Sequence, residues 1–281
     1  MTIIYRTILI VLFVVVGQLP GRAQSEIIGA NKGKLYILWG WNRGFYSNSD
    51  IHFTGNDYDF VLEQVESVDR QTPFSWEVYF NPLSVTIPQT NFRVGYYITD
   101  NFNISLGVDH MKYFVAHNQT VKISGFIDQP GSEFNGVYDN DDIVLSPDFL
   151  QFEHSDGLNY INAELSYVKD VLSWTGNPKE KLQIYLTGGV GFGLLLPKTN
   201  SVLMGKPRHD DFNVAGYGMA LKAGVNVTFF KYFFVQTELK GGFINMPNIR
   251  TSPDKSDSAS QHFYYLQPDI LFGAIFKIAH K

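Results

Sequence analysis

The chain has 281 residues, with 22 Lys and Arg against 27 Asp and Glu, so its formal net charge is −5 at pH 7. This acidic balance argues against nucleic acid as a partner, because phosphate backbones are bound through clustered positive charge. The chain contains no cysteine, which excludes disulfides, thiol nucleophiles and thiolate metal sites. Aromatic residues are abundant, with 4 Trp, 16 Tyr and 23 Phe, more than most soluble domains of this size need.

The first 24 residues have the pattern of an export signal. Arg6 supplies a positive start, residues 8–16 form an apolar run, and a breaker leads to the small-residue sequence Ala23-Gln24. An apolar run of about nine residues is too short to span a bilayer, which takes roughly twenty residues in a helix. We therefore predict a cleaved signal peptide at residues 1–24 and one β-barrel domain at residues 25–281.

Eight later segments alternate apolar residues with polar residues or glycine, which is the two-residue period of a half-buried strand. In the second segment, for example, Phe92 and Val94 share one face while Arg93 and Gly95 share the other. The predicted strands are residues 34–46, 91–98, 102–115, 159–168, 182–196, 214–229, 232–243 and 262–278.

Long and short connections alternate strictly between these strands. The three short ones are tight turns, and the long ones cover residues 47–90, 117–158, 197–213 and 245–261. Membrane β-barrels show this asymmetry, with short periplasmic turns and long extracellular loops. The predicted fold class is all-β, an eight-stranded antiparallel transmembrane β-barrel with long extracellular loops.

The content of the polar face separates two barrel architectures. A soluble ligand-binding barrel turns its apolar face inward, whereas a membrane barrel turns that face to lipid and its polar face to the lumen. The polar faces here carry many glycines and few charges, which suits a narrow lumen. We predict that these lumen charges pair with one another and plug the barrel: Arg93, Asp109, Glu164, Lys222, Glu238, Lys240 and Asp269.

Aromatic residues fall near the ends of the predicted strands. Amphipathic rings favour the two interfaces between membrane and water. We therefore predict that these residues form the aromatic girdles of the barrel: Trp39, Trp41, Tyr96, Tyr167, Phe212, Phe229, Phe233, Phe263 and Tyr265.

The leader ending Ala23-Gln24, the strand scheme, and the stretches at residues 92–96 and 188–193 resemble small outer-membrane β-barrel proteins of Bacteroidota. These belong to the broad superfamily of OmpA-, OmpX- and OmpW-type barrels. The resemblance implies location in the outer membrane of a Gram-negative cell, after signal-directed export. It carries over no catalytic residue.

Two of the long loops contain strand-like material. Residues 50–66 and residues 121–127 are predicted to extend the first and second hairpins above the membrane. One interpretation is an exposed platform that binds an extracellular protein or a polysaccharide. The other is that the barrel strands simply extend beyond the bilayer.

The second long loop is markedly acidic between residues 128 and 156. Asp139, Asp141 and Asp142 offer the hard oxygen ligands that calcium prefers, but the segment lacks the glycine and distal glutamate of an EF-hand. A solvated, self-repelling loop is the alternative. No cofactor is predicted.

Some barrels of this kind are lipid A deacylases or acyltransferases, which use a serine, a histidine and a carboxylate near the membrane rim. His154, Ser155 and Asp156 supply the residue types, but neighbouring side chains of a strand point to opposite faces. They require a turn in order to act together.

A second set of candidates stands at the start of the last predicted strand. Ser260 and His262 are two residues apart and share a face, and Asp257 is close in sequence. Such spacing arises readily in a serine-rich loop, so a catalytic centre is the alternative hypothesis here.

The predicted function is that of a structural or surface-binding outer-membrane barrel acting through its loops. Its expected partners are outer-membrane lipids and lipopolysaccharide, with an extracellular protein or polysaccharide ligand. A lipid-modifying enzyme of the deacylase or acyltransferase type is the first alternative, and a secreted soluble ligand-binding barrel is the second.

Overall fold

The computed structural model describes residues 30–80, 88–172 and 181–277, so the predicted signal peptide lies outside the described residues. Within them the chain forms fifteen strands and one short helix. None of the described residues forms a helix that is long and apolar enough to cross a membrane.

The strands are β1 (Lys34–Asn42), β2 (Phe45–Tyr46), β3 (Ser49–Thr54), β4 (Tyr58–Val65), β5 (Ser67–Val68), β6 (Thr90–Tyr97), β7 (Phe102–Val115), β8 (Thr120–Ile127), β9 (Gly136–Val144), β10 (Leu150–Asp170), β11 (Leu182–Pro197), β12 (Asn200–Leu203), β13 (Gly216–Phe229), β14 (Phe233–Arg250) and β15 (Ser258–Lys277). The helix, α1 (Trp76–Tyr79), lies between β5 and β6.

Eight of these strands close into a ring in the order β1–β6–β7–β10–β11–β13–β14–β15, and β15 pairs with β1 to complete it. Every neighbouring pair in the ring is antiparallel. The closing seam runs from the pair Lys34 and Lys277 to the pair Asn42 and Asp269. The predicted eight-stranded antiparallel barrel is therefore confirmed.

Three ring strands extend farther toward the long loops than the sequence predicts. β10, β14 and β15 contain 21, 18 and 20 residues. The sequence prediction started β10 at Asn159. The structure has a register shift there, between His154 and Leu158, and the strand continues beyond it. Below, the end of the barrel with the short turns is called the turn end, and the opposite end the loop end.

The ring turns its apolar face outward. On β7, Leu106 is 71% exposed while the neighbouring Ser105 is buried. On β13, Leu221 is exposed in the same way, next to the inward Lys222. A soluble barrel would have the opposite arrangement, with its apolar side chains in the lumen. The ring therefore has the outward apolar wall predicted for a membrane barrel.

The predicted aromatic girdle is correct in part. Phe263 and Tyr265 were predicted to face a membrane interface, but both are buried inside the barrel, because they alternate with the outward Tyr264. Phe212 lies outside the ring strands, in a bridge to Lys198. The remaining predicted girdle residues lie on the outward face: Trp39, Trp41, Tyr96, Tyr167, Phe229 and Phe233.

The long loops extend the sheet of the barrel at the loop end. β3 pairs with residues 258–261 of β15, and the sheet continues through β4 and β8 to β9. We call β3, β4, β8 and β9 the loop sheet. The strands predicted within residues 50–66 and 121–127 are thus confirmed. The structure adds that the two hairpins join edge to edge, through β4 and β8, into one sheet.

Two apolar clusters occupy the interior, with the charged residues between them. On β14, Phe234 belongs to the cluster at the turn end, Lys240 to the charged layer, and Ile244 to the larger cluster at the loop end. The larger cluster continues under the loop sheet, where it includes Phe53 and Phe60. The larger apolar cluster therefore connects the interior of the ring to the underside of the loop sheet.

Candidate functional site

The predicted lumen charges form one buried network in the middle of the barrel. Arg93 on β6 lies 3.0 Å from Asp109, and Lys240 on β14 lies 2.6 Å from the other oxygen of Asp109. Glu164 on β10 accepts from both cations, and its Oε1 lies 2.9 Å from the Lys240 Nζ atom. Lys222 joins the network 3.1 Å from Glu238. Six of the seven predicted lumen charges therefore lie within ion-pair distance of an opposite charge.

Asp269 occupies a different place in this layer. Its Oδ1 accepts a hydrogen bond of 3.0 Å from Gln267, and the ion pairs of the layer run through Asp109, Glu164 and Glu238. Three cations therefore face three paired carboxylates, and a fourth carboxylate is held by an amide. Each of the six paired ions has an opposite charge within 3.1 Å.

Glycine makes room for the network across the strands. Gly191 on β11 is the register partner of Glu164. A Cβ atom at Gly191 would lie 3.1 Å from the Cγ atom of Glu164, a tighter approach than side chains normally make. The glycine-rich sequence of β11 therefore permits a carboxylate and two long cations to share the narrow lumen.

At the loop end, the loop sheet ends at an open edge. β9 pairs with β8 from Val144 opposite Thr120 to Gly136 opposite Ile127. On the side away from β8, no strand pairs with β9 in the part of the chain that the structure describes. Val137 on β9 is 85% exposed. Backbone N–H and C=O groups that have no strand partner on this side of β9 make the edge able to accept another strand.

One glycine allows the two hairpins of the loop sheet to meet. Gly125 on β8 has a φ of +127°, which L side chains rarely adopt. A Cβ atom there would lie 2.2 Å from the carbonyl oxygen of Asp59 on β4. The approach of β8 to β4, and hence the position of β9, depends on the missing side chain.

The candidate calcium ligands lie on this outer strand. The Asp139 N–H donates to the Asp141 carboxylate at 2.9 Å, and Asp142 forms an exposed ion pair with Lys122 at 2.8 Å. Across the described residues, the structure brings no three His, Asp or Glu side chains together as a metal site. Instead, these three carboxylates, one of which pairs with Lys122, leave the open edge with a net negative charge.

The second set of catalytic candidates is not assembled. Ser260 and His262 do share a face of β15, as predicted, but it is the outward face. The Asp257 side chain is buried elsewhere, where it accepts from Ser252 at 2.7 Å and faces Lys206 at 3.4 Å. No hydrogen bond joins Asp257 to Ser260 or His262 in the described structure.

His154 is a buried core residue at the loop end. Its ring packs against Tyr113 and Phe152, and its Nδ1 atom lies 3.1 Å from the Thr199 hydroxyl. Burial lowers the pKa of His154 to about 3, so the ring is neutral at physiological pH. Ser155 and Asp156 follow it in β10, and the structure describes only their backbone.

An ionic contact that the sequence did not predict joins three of the loops. Lys206, between β12 and β13, lies 2.6 Å from Asp57 in the β3–β4 turn and 3.4 Å from Asp257 before β15. Its ammonium group also lies over the ring of Tyr58, 4.8 Å from the centroid. The partners are far apart in sequence, so no local pattern identifies them. We call Lys206, Asp57 and Asp257 the loop clasp.

No protein-family model and no curated protein matches the chain. Among solved structures, it is similar to the outer membrane protein OprG of Pseudomonas aeruginosa, at 12% identity and a TM-score of 0.38, covering 90% of this chain and 100% of that chain.

Two further structures show similarity of the same kind. Neisserial surface protein A has 10% identity and a TM-score of 0.29, covering 84% of this chain and 98% of that chain. The attachment invasion locus protein Ail of Yersinia pestis, in complex with the heparin analogue sucrose octasulfate, has 9% identity and a TM-score of 0.26. The match covers 86% of this chain and 99% of that chain. These neighbours are small outer-membrane β-barrel proteins.

Proposed function

We propose that this protein is an outer-membrane β-barrel with a closed lumen that binds an extracellular partner through its loop sheet. The observation that carries this proposal is the loop sheet itself. Its four strands continue the hydrogen-bonding of β15, lie over an apolar core and end at the open edge of β9. Such an ordered structure exceeds what is needed to connect barrel strands.

The membrane location is supported by the outward apolar face of the ring. Leu106, Val190 and Leu221 are all largely exposed, which water disfavours and lipid does not. The location also requires export, for which we propose the signal at residues 1–24. The resemblance to barrels of Bacteroidota belongs to the same proposal.

The closed lumen argues against transport as the function. The charged layer is bounded by apolar clusters on both sides, one containing Tyr36 and Phe234 and the other containing Tyr160 and Phe263. Eight strands leave an interior just wide enough for side chains. A solute would have to displace packed rings as well as buried ion pairs.

The edge of β9 indicates the chemistry of a partner. An added strand would pair with the edge of β9 that no strand covers in the described structure, as in other cases of β-strand addition, although the Asp139 N–H already donates to the Asp141 carboxylate. Asp139, Asp141 and Asp142 would then face it with negative charge. The partner that fits best is an extended, positively charged segment of an extracellular protein, since opposite charges on neighbouring strands stabilise their pairing.

The test uses the full protein in lipid nanodiscs and a synthetic peptide of alternating lysine and valine. We expect the peptide to bind, and the same peptide with alternate backbone nitrogens methylated to bind at least about tenfold more weakly, because it cannot complete the hydrogen-bond ladder. Equal binding of both peptides would show that attraction of charge alone is responsible, and would refute strand addition.

A pair of variants locates the binding surface. Replacing Asp139, Asp141 and Asp142 by lysine should abolish peptide binding, whereas Asp148→Lys, at an exposed position outside β9, should leave most of it. Lipid A from cells with and without the protein should have the same mass spectrum. Altered acylation would instead support the lipid-modifying enzyme.

A further inference from the structure

A short segment between β5 and β6 carries exposed aromatic rings. Phe74, Trp76 and Phe80 are 64%, 71% and 51% exposed. The segment contains α1, whose first turn is capped by the Ser75 hydroxyl accepting from the Val78 N–H at 3.2 Å. We call residues 74–80 the aromatic segment. Exposing three large rings to water so close together costs free energy.

The rings of this segment pack on one another as an ordered group. Trp76 stacks on Phe80 with ring centroids 4.9 Å apart, and Phe74 packs on Tyr79 at 5.1 Å. The Tyr79 hydroxyl donates to the Thr72 carbonyl at 2.7 Å. Glu77 is the one charged residue of the segment. The exposed rings therefore belong to an ordered segment that carries little charge.

The aromatic segment lies against the outside of the barrel wall. Trp41 of β1 contacts Phe80 at 5.2 Å and Tyr79 at 5.8 Å. Trp41 faces outward, because it alternates with the buried Gly40 and Asn42, and it also packs against the outward Trp39 at 5.0 Å and Phe272 at 5.7 Å. The segment thus packs against the outward face of the ring through Trp41.

A groove runs along the wall beside this contact. Its volume is about 620 Å³, and it is lined by Trp41 and Gln71 on one side and by outward side chains of β13, β14 and β15, among them Val225, Leu239 and Ile270. The volume falls within the roughly 300–1,000 Å³ of small-molecule sites. The lining is largely apolar, and Arg43 at one end pairs with Asp69 at 3.1 Å.

We infer that the aromatic segment is embedded in the outer leaflet of the bilayer, where lipid acyl chains cover its exposed rings and fill the groove beside Trp41. The inference rests on the proposed membrane location. It identifies lipid as the occupant, because the exposed rings are continuous with the wall that lipid would cover. One loop would then anchor the loop end to the membrane surface.

The experiment uses the absence of cysteine from the chain, so that one introduced cysteine is a unique site for a nitroxide label. Trp76→Cys and Phe74→Cys report on the aromatic segment. Leu106→Cys on the ring wall is the control for lipid, and Val137→Cys on β9 is the control for water. The labelled proteins, in nanodiscs of phosphatidylcholine, are probed with oxygen, which concentrates in lipid, and with a water-soluble nickel chelate.

We expect the oxygen-to-nickel collision ratio at positions 74 and 76 to match the ratio measured on Leu106→Cys. It should exceed the ratio measured on Val137→Cys by about threefold or more. A nickel-dominated signal at both segment positions, with oxygen dominant at Leu106→Cys, would refute the inference and leave the membrane barrel intact. A nickel-dominated signal at Leu106→Cys would instead refute the membrane barrel. Low collision with both reagents at positions 74 and 76 would show that protein, such as a second copy of the chain, covers the segment.

Folding of each variant is checked independently of the label. A folded barrel should migrate differently before and after boiling, and the four variants replace exposed side chains, so all should retain this shift. If Trp76→Cys or Phe74→Cys loses the shift, Glu77→Cys in the same segment replaces it, and the same ratio is expected there.

Discussion

The ammonium nitrogen of Lys206 lies 2.6 Å from Oδ1 of Asp57, and this contact connects the loop after β12 to the turn between β3 and β4. The same nitrogen faces both carboxylate oxygens of Asp257 at 3.4 Å, just before β15. Three loops that are distant in sequence are therefore held at one point, which fixes the loop sheet over its apolar core.

We predict that Lys206→Met loosens the loop end without unfolding the ring. The lysine is only partly buried, so the expected loss is about 1 kcal/mol, near the upper limit for solvent-accessible ion pairs. Hydrogen exchange should show faster opening of the β3–β4 turn, with the ring strands unchanged. Lys122→Met breaks a more exposed pair, that with Asp142, and should change exchange little. Equal effects of the two variants would contradict the special role of the clasp.

The clasp should also respond to acid. Burial raises the pKa of the Asp57 carboxyl, but hydrogen bonds from Lys206 and Gln129 outweigh burial and hold the pKa below its ordinary value. A carboxyl with a lowered pKa in the folded state contributes stability above its unfolded pKa of about 3.9, and that contribution is lost as the pH falls. The protection factors of the β3–β4 turn, which correct for the intrinsic exchange rate at each pH, should therefore fall below about pH 4, and less so in Lys206→Met.

The charged layer should be the most sensitive part of the ring. Glu164 faces Arg93, Lys222 and Lys240. Glu164→Gln therefore leaves these three buried cations with two paired carboxylates, Asp109 and Glu238. We expect a loss of about 3–5 kcal/mol in the free energy of unfolding, measured by denaturant titration in lipid. Glu133→Gln, an exposed control, should change it by less than about 0.5 kcal/mol.

A closed lumen should not conduct ions. In planar bilayers the wild-type protein should give no stepwise current, because paired charges and packed rings fill the interior. Reproducible single-channel steps from the purified protein would contradict the plug and reopen transport as a function.

His154 should make the loop end sensitive to mild acid. Burial lowers its pKa to about 3, so between that value and about 6.5 the unfolded state binds more protons than the folded state. The stability of the loop end should therefore fall as the pH drops below about 6.5. His154→Leu removes the titrating ring and should flatten this pH dependence, as read by exchange in β10 and β12. An unchanged slope would assign it to another group.

Gly125 should be irreplaceable in the loop sheet. Alanine there must adopt a φ of +127° and lie 2.2 Å from the Asp59 carbonyl, so Gly125→Ala should separate β8 from β4. We expect protection from hydrogen exchange to be lost in β8 and β9, together with peptide binding. Gly136→Ala on β9 is the matched control, because the nearest atom to its added Cβ would be 4.0 Å away.

The ring could be predicted because its physical signal is local. Alternation in a stretch such as that around Arg93 and Val94 requires only the strand period, and it also identified all seven inward charges. Phe263 and Tyr265 were assigned to the membrane interface from their position near a strand end, and the prediction was wrong because their register places them inside. For these two residues, the alternation along the strand determines which way the side chain faces, and the aromatic residue type does not.

The loop end could be predicted only as isolated strands. The pairing of β4 with β8 depends on the conformation of Gly125, and the clasp depends on a lysine 149 residues from its carboxylate partner Asp57. The aromatic segment is too short to show a helical or strand period in the sequence. Its position against the barrel wall is defined only by the contact with Trp41, which the sequence does not reveal. Each of these features arises from contacts between distant parts of the chain.

β15 is both a wall of the barrel and the strand on which the loop sheet is built. A partner attached to β9 is therefore connected to the membrane through successive hydrogen-bond ladders across β8, β4 and β3, with no flexible linker between. Tension on such a partner, as from a cell held against flow, would be transmitted directly into the barrel wall. The mechanical strength of the attachment would then be set by backbone pairing in the loop sheet.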